Sequence, residues 1–117
     1  MLFRSQIVRL ALDSRNALGE IRARENLSYD QRLKGIIHFY RNPRDFDDAC
    51  HAAEVMRRHG CELQVIGRDR VVELEPAFAA RRDEIVGATY TPDDESGDAM
   101  KYTQALAGLC QIGRAHV

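Results

Sequence analysis

The sequence predicts an α+β fold in which three short strands are spread among four helices. Two observations carry this. Apolar residues recur every three to four positions over several stretches, which is the helical period. Between those stretches stand short runs rich in β-branched and aromatic residues, bounded by Gly, Pro, Asn or Asp, which read as strands. At 117 residues the chain has a one-domain length.

Residues 6–25 predict an amphipathic helix. Ile7, Leu10, Ala11, Ala17, Leu18 and Ile21 recur at helical spacing, with Arg9, Asp13 and Glu20 on the other side. Residues 26–32 are polar and read as a connection. Gly35 to Tyr40 is a β-branched and aromatic run, hence a strand. Asn42-Pro43 reads as a helix start, because Asn accepts from free backbone N–H groups and Pro suits the first helical position. That helix runs to about His59, with Phe46, Ala49, Cys50, Ala53 and Met56 on one face. Asp45, Asp47 and Asp48 near its start and Arg57, Arg58 and His59 near its end complement the helix dipole. Gly60 is the expected stop. Leu63-Gln64-Val65 reads as a second strand, and Asp69 as the cap of a short helix through Leu74, ended by Pro76. Ile85 to Tyr90 is the third strand, and Pro92 to Gly97 an acidic turn. Asp98 is expected to cap a last helix whose Ala99, Tyr102, Leu106 and Leu109 form an apolar face. So few strands offer little surface for so many apolar helix faces, which predicts that neighbouring sequence completes the fold.

Composition narrows the function classes. Hydrophobic residues are 44% and charged residues 30%, a globular balance. Seventeen basic residues against 18 acidic ones give a net charge of −1, which argues against a nucleic-acid partner. No apolar run approaches the ~20 residues of a membrane span, and no basic-then-apolar leader opens the chain. Cys50, Cys61 and Cys110 have no paired spacing and read as reduced thiols of a cytosolic protein. The ends have a different character. Ile112-Gly113-Arg114-Ala115-His116-Val117 is similar to a translated sequencing adapter, ATC GGA AGA GCA CAC GTC, and Leu2-Phe3-Arg4-Ser5 to the opposite one, CTC TTC CGA TCT. Residues 1–5 and 111–117 are therefore expected to be adapter-like artefacts, and residues 6–110 a window from a longer gene.

The candidate chemistry is thin. His51 and His59 with Cys50 or Cys61 match no zinc spacing, so no metal site is expected. His116 falls in the adapter-like tail. His38, on a strand between aromatic neighbours, is a candidate for a substrate pocket, together with Tyr40. The carboxylates Asp93, Asp94, Glu95 and Asp98 either bind a cation or form a solvated turn with a helix cap, but lack the twelve-position pattern of an EF-hand. There is no Gly-x-Gly-x-x-Gly cradle for phosphates.

Several segments carry a family resemblance: Val8-Arg9-Leu10-Ala11 with Ser14-Arg15, Tyr29-Asp30 with Gly35 to Arg41, Glu73-Leu74-Glu75-Pro76-Ala77, Gly87 to Asp98, and Thr103-Gln104 with Leu106. Together they resemble the small, FAD-binding subunit of D-amino-acid dehydrogenases, in the amine-oxidising flavoprotein family. The most specific stretch is Pro92-Asp93-Asp94-Glu95-Ser96-Gly97-Asp98, where the family reads Pro-Asn-Asp-Glu-Thr-Gly-Asp. The Glu-Pro element is shared by related glycine and sarcosine oxidases.

The resemblance implies a fragment of a two-domain FAD-dependent oxidoreductase: the interdomain helix plus part of a substrate-domain mixed sheet with flanking helices. The parent would oxidise D-amino acids to 2-oxo acids and ammonia, with FAD as cofactor and a quinone-type electron acceptor. It would be cytoplasmic, either free or peripheral on the inner membrane of a bacterial cell. The family's FAD fingerprint lies upstream and its principal substrate residues downstream. The fragment is therefore expected to hold no catalytic or cofactor-binding residue, to bind no FAD and to be inactive alone. The alternatives are a fragment of a glycine- or sarcosine-type amine oxidase, and a free-standing, non-catalytic α+β binding module.

Overall fold

The computed structural model describes residues 2–115, with side-chain surroundings given for Phe3 and for residues 5–113. Met1, His116 and Val117, which fall in the ends expected to be adapter-like, lie outside the described residues. In chain order the elements are α1 (Leu2–Glu25), β1 (Ile36–Tyr40), α2 (Pro43–Arg58), β2 (Gln64–Ile66), α3 (Arg68–Leu74), a 3-10 segment (Pro76–Glu84), β3 (Gly87–Thr91) and α4 (Ala99–Ala115). The predicted order of helices and strands holds, and the 3-10 segment is added to it.

Local chemistry explains most boundaries. The Asn42 side chain accepts from the Arg44 N–H at 2.8 Å, with Pro43 at the first helical position. At the other end of α2, Cys61 N–H donates to the Met56 carbonyl and Gly60 N–H to that of Arg57, with Gly60 at φ 93°. This pair of bonds is a Schellman stop. The start of α3 departs from expectation. Gly67, not Asp69, occupies the cap position and supplies no side-chain bond. Asp69 instead pairs with Arg82 of the 3-10 segment. Glu75 accepts from Ala77 N–H and starts that segment, which the loss of helical period after Pro76 concealed.

The sheet has the order β1-β3-β2, and both pairings are antiparallel. Of the expected mixed sheet, the described residues thus hold an antiparallel part. β3 takes the centre because its Gly87, Ala88, Thr89 and Thr91 are small enough to be buried from both sides. Register places Ile37, Phe39, Ala88, Tyr90 and Ile66 on one face. There Ala88, Val71 and Ile85 form a fully buried cluster, with Ile37, Ile66 and Phe78 against it. The other face carries His38, Tyr40, Gly87 and Thr89, and α2 lies over it. A Cβ on Gly87 would stand 2.3 Å from the Phe46 ring, so the close approach of α2 requires glycine there. A second cluster of Ala53, Cys61 and Leu63, joined by Val8 and Met56, ties α1 to the body.

α1 is turned relative to the expected stripe. Ser5, Val8, Leu12, Arg15, Leu18, Gly19, Ile21 and Arg22 are its half-buried positions, so Leu18 and Ile21 of the expected stripe are half-buried while Ile7, Leu10, Ala11 and Ala17 are exposed. The helix has two apolar sides, and the one flanked by Arg15 and Arg22 meets the body because carboxylates wait for those arginines.

Candidate functional site

His38 and Tyr40 share one sheet face, two residues apart on edge strand β1. Their surroundings differ. His38 is exposed, whereas Tyr40 is half-buried and tilts against Phe46 with ring centroids 6.1 Å apart. The other sequence candidates do not converge. Cys61 is buried in the second cluster and Cys50 half-buried, while His51 and His59 are exposed. Burial pushes the Cys61 thiol up from its usual range. Among the described residues, no group of three or more His, Cys, Asp or Glu side chains is placed to hold a metal.

The acidic turn is solvated at Asp93, Ser96, Gly97 and Asp98, as expected, but its Asp94 and Glu95 are half-buried and form a clasp with α1. As the chain leaves β3, Ser96 and Arg32 exchange both backbone hydrogen bonds, at 2.8 and 3.1 Å. Asp98 N–H then donates to the Tyr29 carbonyl at 2.8 Å. The Asp98 side chain accepts from Lys101 N–H at 3.0 Å and caps α4 as expected. The Tyr29 side chain, with the residue 5% exposed, lies over Gly97, where a Cβ would come within 2.6 Å of the ring. Tyr102 of α4 meets that ring edge-on at 5.2 Å.

Arginines of α1 close the clasp. Arg22 Nη1 donates to Glu95 Oε1 at 2.5 Å and to the Tyr29 hydroxyl at 3.0 Å. The Tyr29 hydroxyl in turn donates to the same Glu95 oxygen at 3.1 Å. Two turns earlier, Arg15 Nη1 reaches Asp94 Oδ1 at 3.3 Å. The Tyr29 hydroxyl, and Glu95 beside it, hold the Arg22 guanidinium above its ordinary pKa. At the rim, Lys101 hydrogen-bonds Asp30, which draws that carboxyl below the usual carboxylate range and raises the ammonium. With Asp94 and Glu95 both engaged by guanidinium groups, the arrangement fixes α1, the Tyr29 loop and α4 together and leaves neither carboxylate as a free base. The sequence reading singled out Arg15 and Tyr29 only as carriers of the family resemblance, gave them no role, and missed Arg22. The signal was present: two arginines seven apart share a helix face, and two adjacent carboxylates stand in one turn.

The described residues do not fit the pyrophosphate of FAD. The β2-to-α3 turn joins a strand directly to a helix, but offers one glycine, Gly67, and a seven-residue helix. A dinucleotide cradle needs several glycines and a long helix N-terminus. No helix among these residues is long and apolar enough to cross a membrane.

Comparison with known proteins bears on the whole chain. A family model described as FAD dependent oxidoreductase matches residues 3–116. A protein of Paramagnetospirillum magneticum named D-amino acid dehydrogenase is 49% identical over 102 residues, covering 87% of this chain and 24% of that one. One of the same name from Dechloromonas aromatica is 44% identical over 101 residues, covering 86% and 24%. Among solved structures, glycine oxidase from Bacillus cereus superposes with TM-score 0.73 at 25% identity, covering 86% of this chain and 28% of its own. Glycine oxidase from Geobacillus kaustophilus gives 0.70 at 28%, covering 85% and 27%. The chain thus spans about a quarter of the length of the curated relatives it matches.

Proposed function

The chain belongs to the FAD dependent oxidoreductase family, and on that premise we propose that it is part of a dehydrogenase that oxidises D-amino acids to 2-oxo acids and ammonia. The observation that carries this reading is the 49% identity, sustained over 87% of the chain, to a protein named D-amino acid dehydrogenase. In such an enzyme FAD accepts the electrons removed from the substrate. This segment's share is architectural: it supplies a helix and part of a sheet that shape the substrate side, while the phosphate cradle lies in other sequence. The acceptor we propose is of the quinone type, and the location cytoplasmic or peripheral on the inner membrane. Alone, residues 6–110 bind no FAD and turn nothing over.

Within the segment we propose His38 and Tyr40 as the substrate-side pair. Their common face and the exposure of His38 at an edge strand support this. A second reading, a glycine-oxidase type of enzyme, is favoured by the likeness to the two glycine oxidases.

The experiment is a chimera in which residues 6–110 replace the matching quarter of the Paramagnetospirillum relative. The first reading predicts dye reduction with D-alanine and little peroxide formed from oxygen. Oxidation confined to glycine with peroxide release would favour the second. In that chimera, His38→Ala is expected to raise KM several-fold with little change in kcat. An unchanged KM would remove His38 from the pocket.

A further inference from the structure

Strand alternation turns Phe39 away from the face of His38 and Tyr40, and on the opposite face its ring is still 44% exposed. Phe78 of the 3-10 segment meets it with ring centroids 5.0 Å apart and planes at 58°. Val86 N–H donates to the Tyr40 carbonyl at 2.9 Å, which brings the chain after the 3-10 segment alongside the end of β1. Between the two lies a small open cavity of about 150 Å³, lined by Phe39, Phe78, Arg41, Arg81, Glu84 and Ile85.

The charges around this cavity do not balance, because two guanidinium groups share one carboxylate. Arg81 commits a single nitrogen, Nη1, to Glu84 at 3.2 Å. Arg41 Nη2 stands 3.8 Å from the same carboxylate. That distance is an ion pair but too long for a hydrogen bond. Among the described residues the Arg41 guanidinium therefore keeps its donors open. Glu84 also has capacity left, since an ionised carboxylate accepts at about four lone-pair sites.

An open guanidinium fork is matched to a carboxylate. A carboxylate beside an aromatic face suits an ammonium. The two rings with Ile85 suit a small apolar group. At ~30 Å³ for each water-sized unit, the volume suits a molecule of about five or six heavy atoms.

We propose that this cavity binds a small amino acid as its zwitterion, one about the size of alanine. The carboxylate goes to Arg41 and Arg81, the ammonium to Glu84 and the side chain to the Phe39 and Phe78 rings. The site lies on the sheet face opposite to His38 and Tyr40 and is separate from that substrate-side pair. It stands on this geometry rather than on the proposed reaction, and its failure would leave that reading untouched. A carboxylate without an ammonium engages the arginines alone and binds more weakly.

The test titrates D-alanine and propionate separately into a dilute solution of the 117-residue chain. NMR follows the Ile85 methyl groups and the Phe39 and Phe78 rings. D-Alanine is expected to shift all three residues saturably, with Kd on the order of 1–10 mM, and propionate to bind at least about fivefold more weakly. Arg41→Gln/Arg81→Gln is expected to weaken D-alanine binding about tenfold or more. Both arginines are exposed, so the fold is kept. Glu84→Gln is expected to remove the preference for D-alanine while propionate still binds, and that residual binding shows the variant to be folded. Where the isolated chain aggregates, the Ile85 methyl groups are read in the chimera described above, with its flavin kept reduced so that no D-alanine is consumed. Their position distinguishes this site from any other amino-acid site in the chimera. The absence of a saturable shift at Ile85 up to about 100 mM D-alanine overturns the proposal. So does equal binding of D-alanine and propionate, which would leave a plain anion site, or an arginine double variant that binds D-alanine as before.

Discussion

Glu95 accepts from both Arg22 and Tyr29 at one carboxylate oxygen, with its side chain 14% exposed. Removing it strands a guanidinium and a hydroxyl that have little water to turn to. Glu95→Ala is therefore expected to cost about 1–3 kcal/mol, seen as a drop of roughly 5–15 °C in Tm by circular dichroism. An unchanged Tm would show that the clasp is ornamental. Asp30 gives a pH-dependent counterpart. Its carboxyl is held low by the hydrogen bond from Lys101, so the contribution to stability is present above about pH 4 and is lost as the pH falls through the depressed value. Titration of the Asp30 carboxyl by NMR should show the low value, and Lys101→Ala should return it to the ordinary range. The thiols order themselves by burial. Cys110, which is exposed, should be alkylated first, and Cys61, buried with a raised pKa, only when the chain opens.

At the scale of elements, the boundaries follow from caps that a sequence displays openly. Asn42-Pro43 starts α2, and its loss has a defined cost: Asn42→Ala should destabilise by about 1 kcal/mol in urea unfolding, with no change in m. What was not legible has physical reasons. The 3-10 segment has no helical period to betray it, since its residues are fixed by the Glu75 cap and by Arg82 reaching Asp69. The rotation of α1 was hidden because both of its sides carry apolar residues. Only the partners across space, Asp94 and Glu95, choose between them. The acidic turn was recognised as the densest polar feature, yet its role depends on arginines some 70 to 80 residues earlier in the chain. His38 and Tyr40 were placed correctly on a strand, but period-two alternation alone did not show that α2 would cover the one and leave the other open.

For the molecule as a whole, a three-stranded sheet is sandwiched between α2 on one face and α3 with the 3-10 segment on the other. The long helices α1 and α4 are tied on chiefly through the clasp and, for α1, through Val8. Both sheet edges, β1 and β2, are free to pair further among the described residues. Exposed strand edges together with an apolar helix face predict that the isolated chain is marginally stable and self-associates. Light scattering over a concentration series should show growth of mass with time, and a monodisperse, cooperatively unfolding monomer would favour the free-standing binding module. The chain spans about a quarter of the length of the curated relatives it matches, and within it the clasp holds α1, the Tyr29 loop and the acidic turn together. The most direct measurement is D-alanine-dependent dye reduction by the chimera carrying residues 6–110 in the Paramagnetospirillum relative. The account predicts a kcat/KM within about tenfold of the intact relative, a loss of no more than ~1.4 kcal/mol in transition-state stabilisation. A folded, flavin-containing chimera that oxidises no D-amino acid would contradict it.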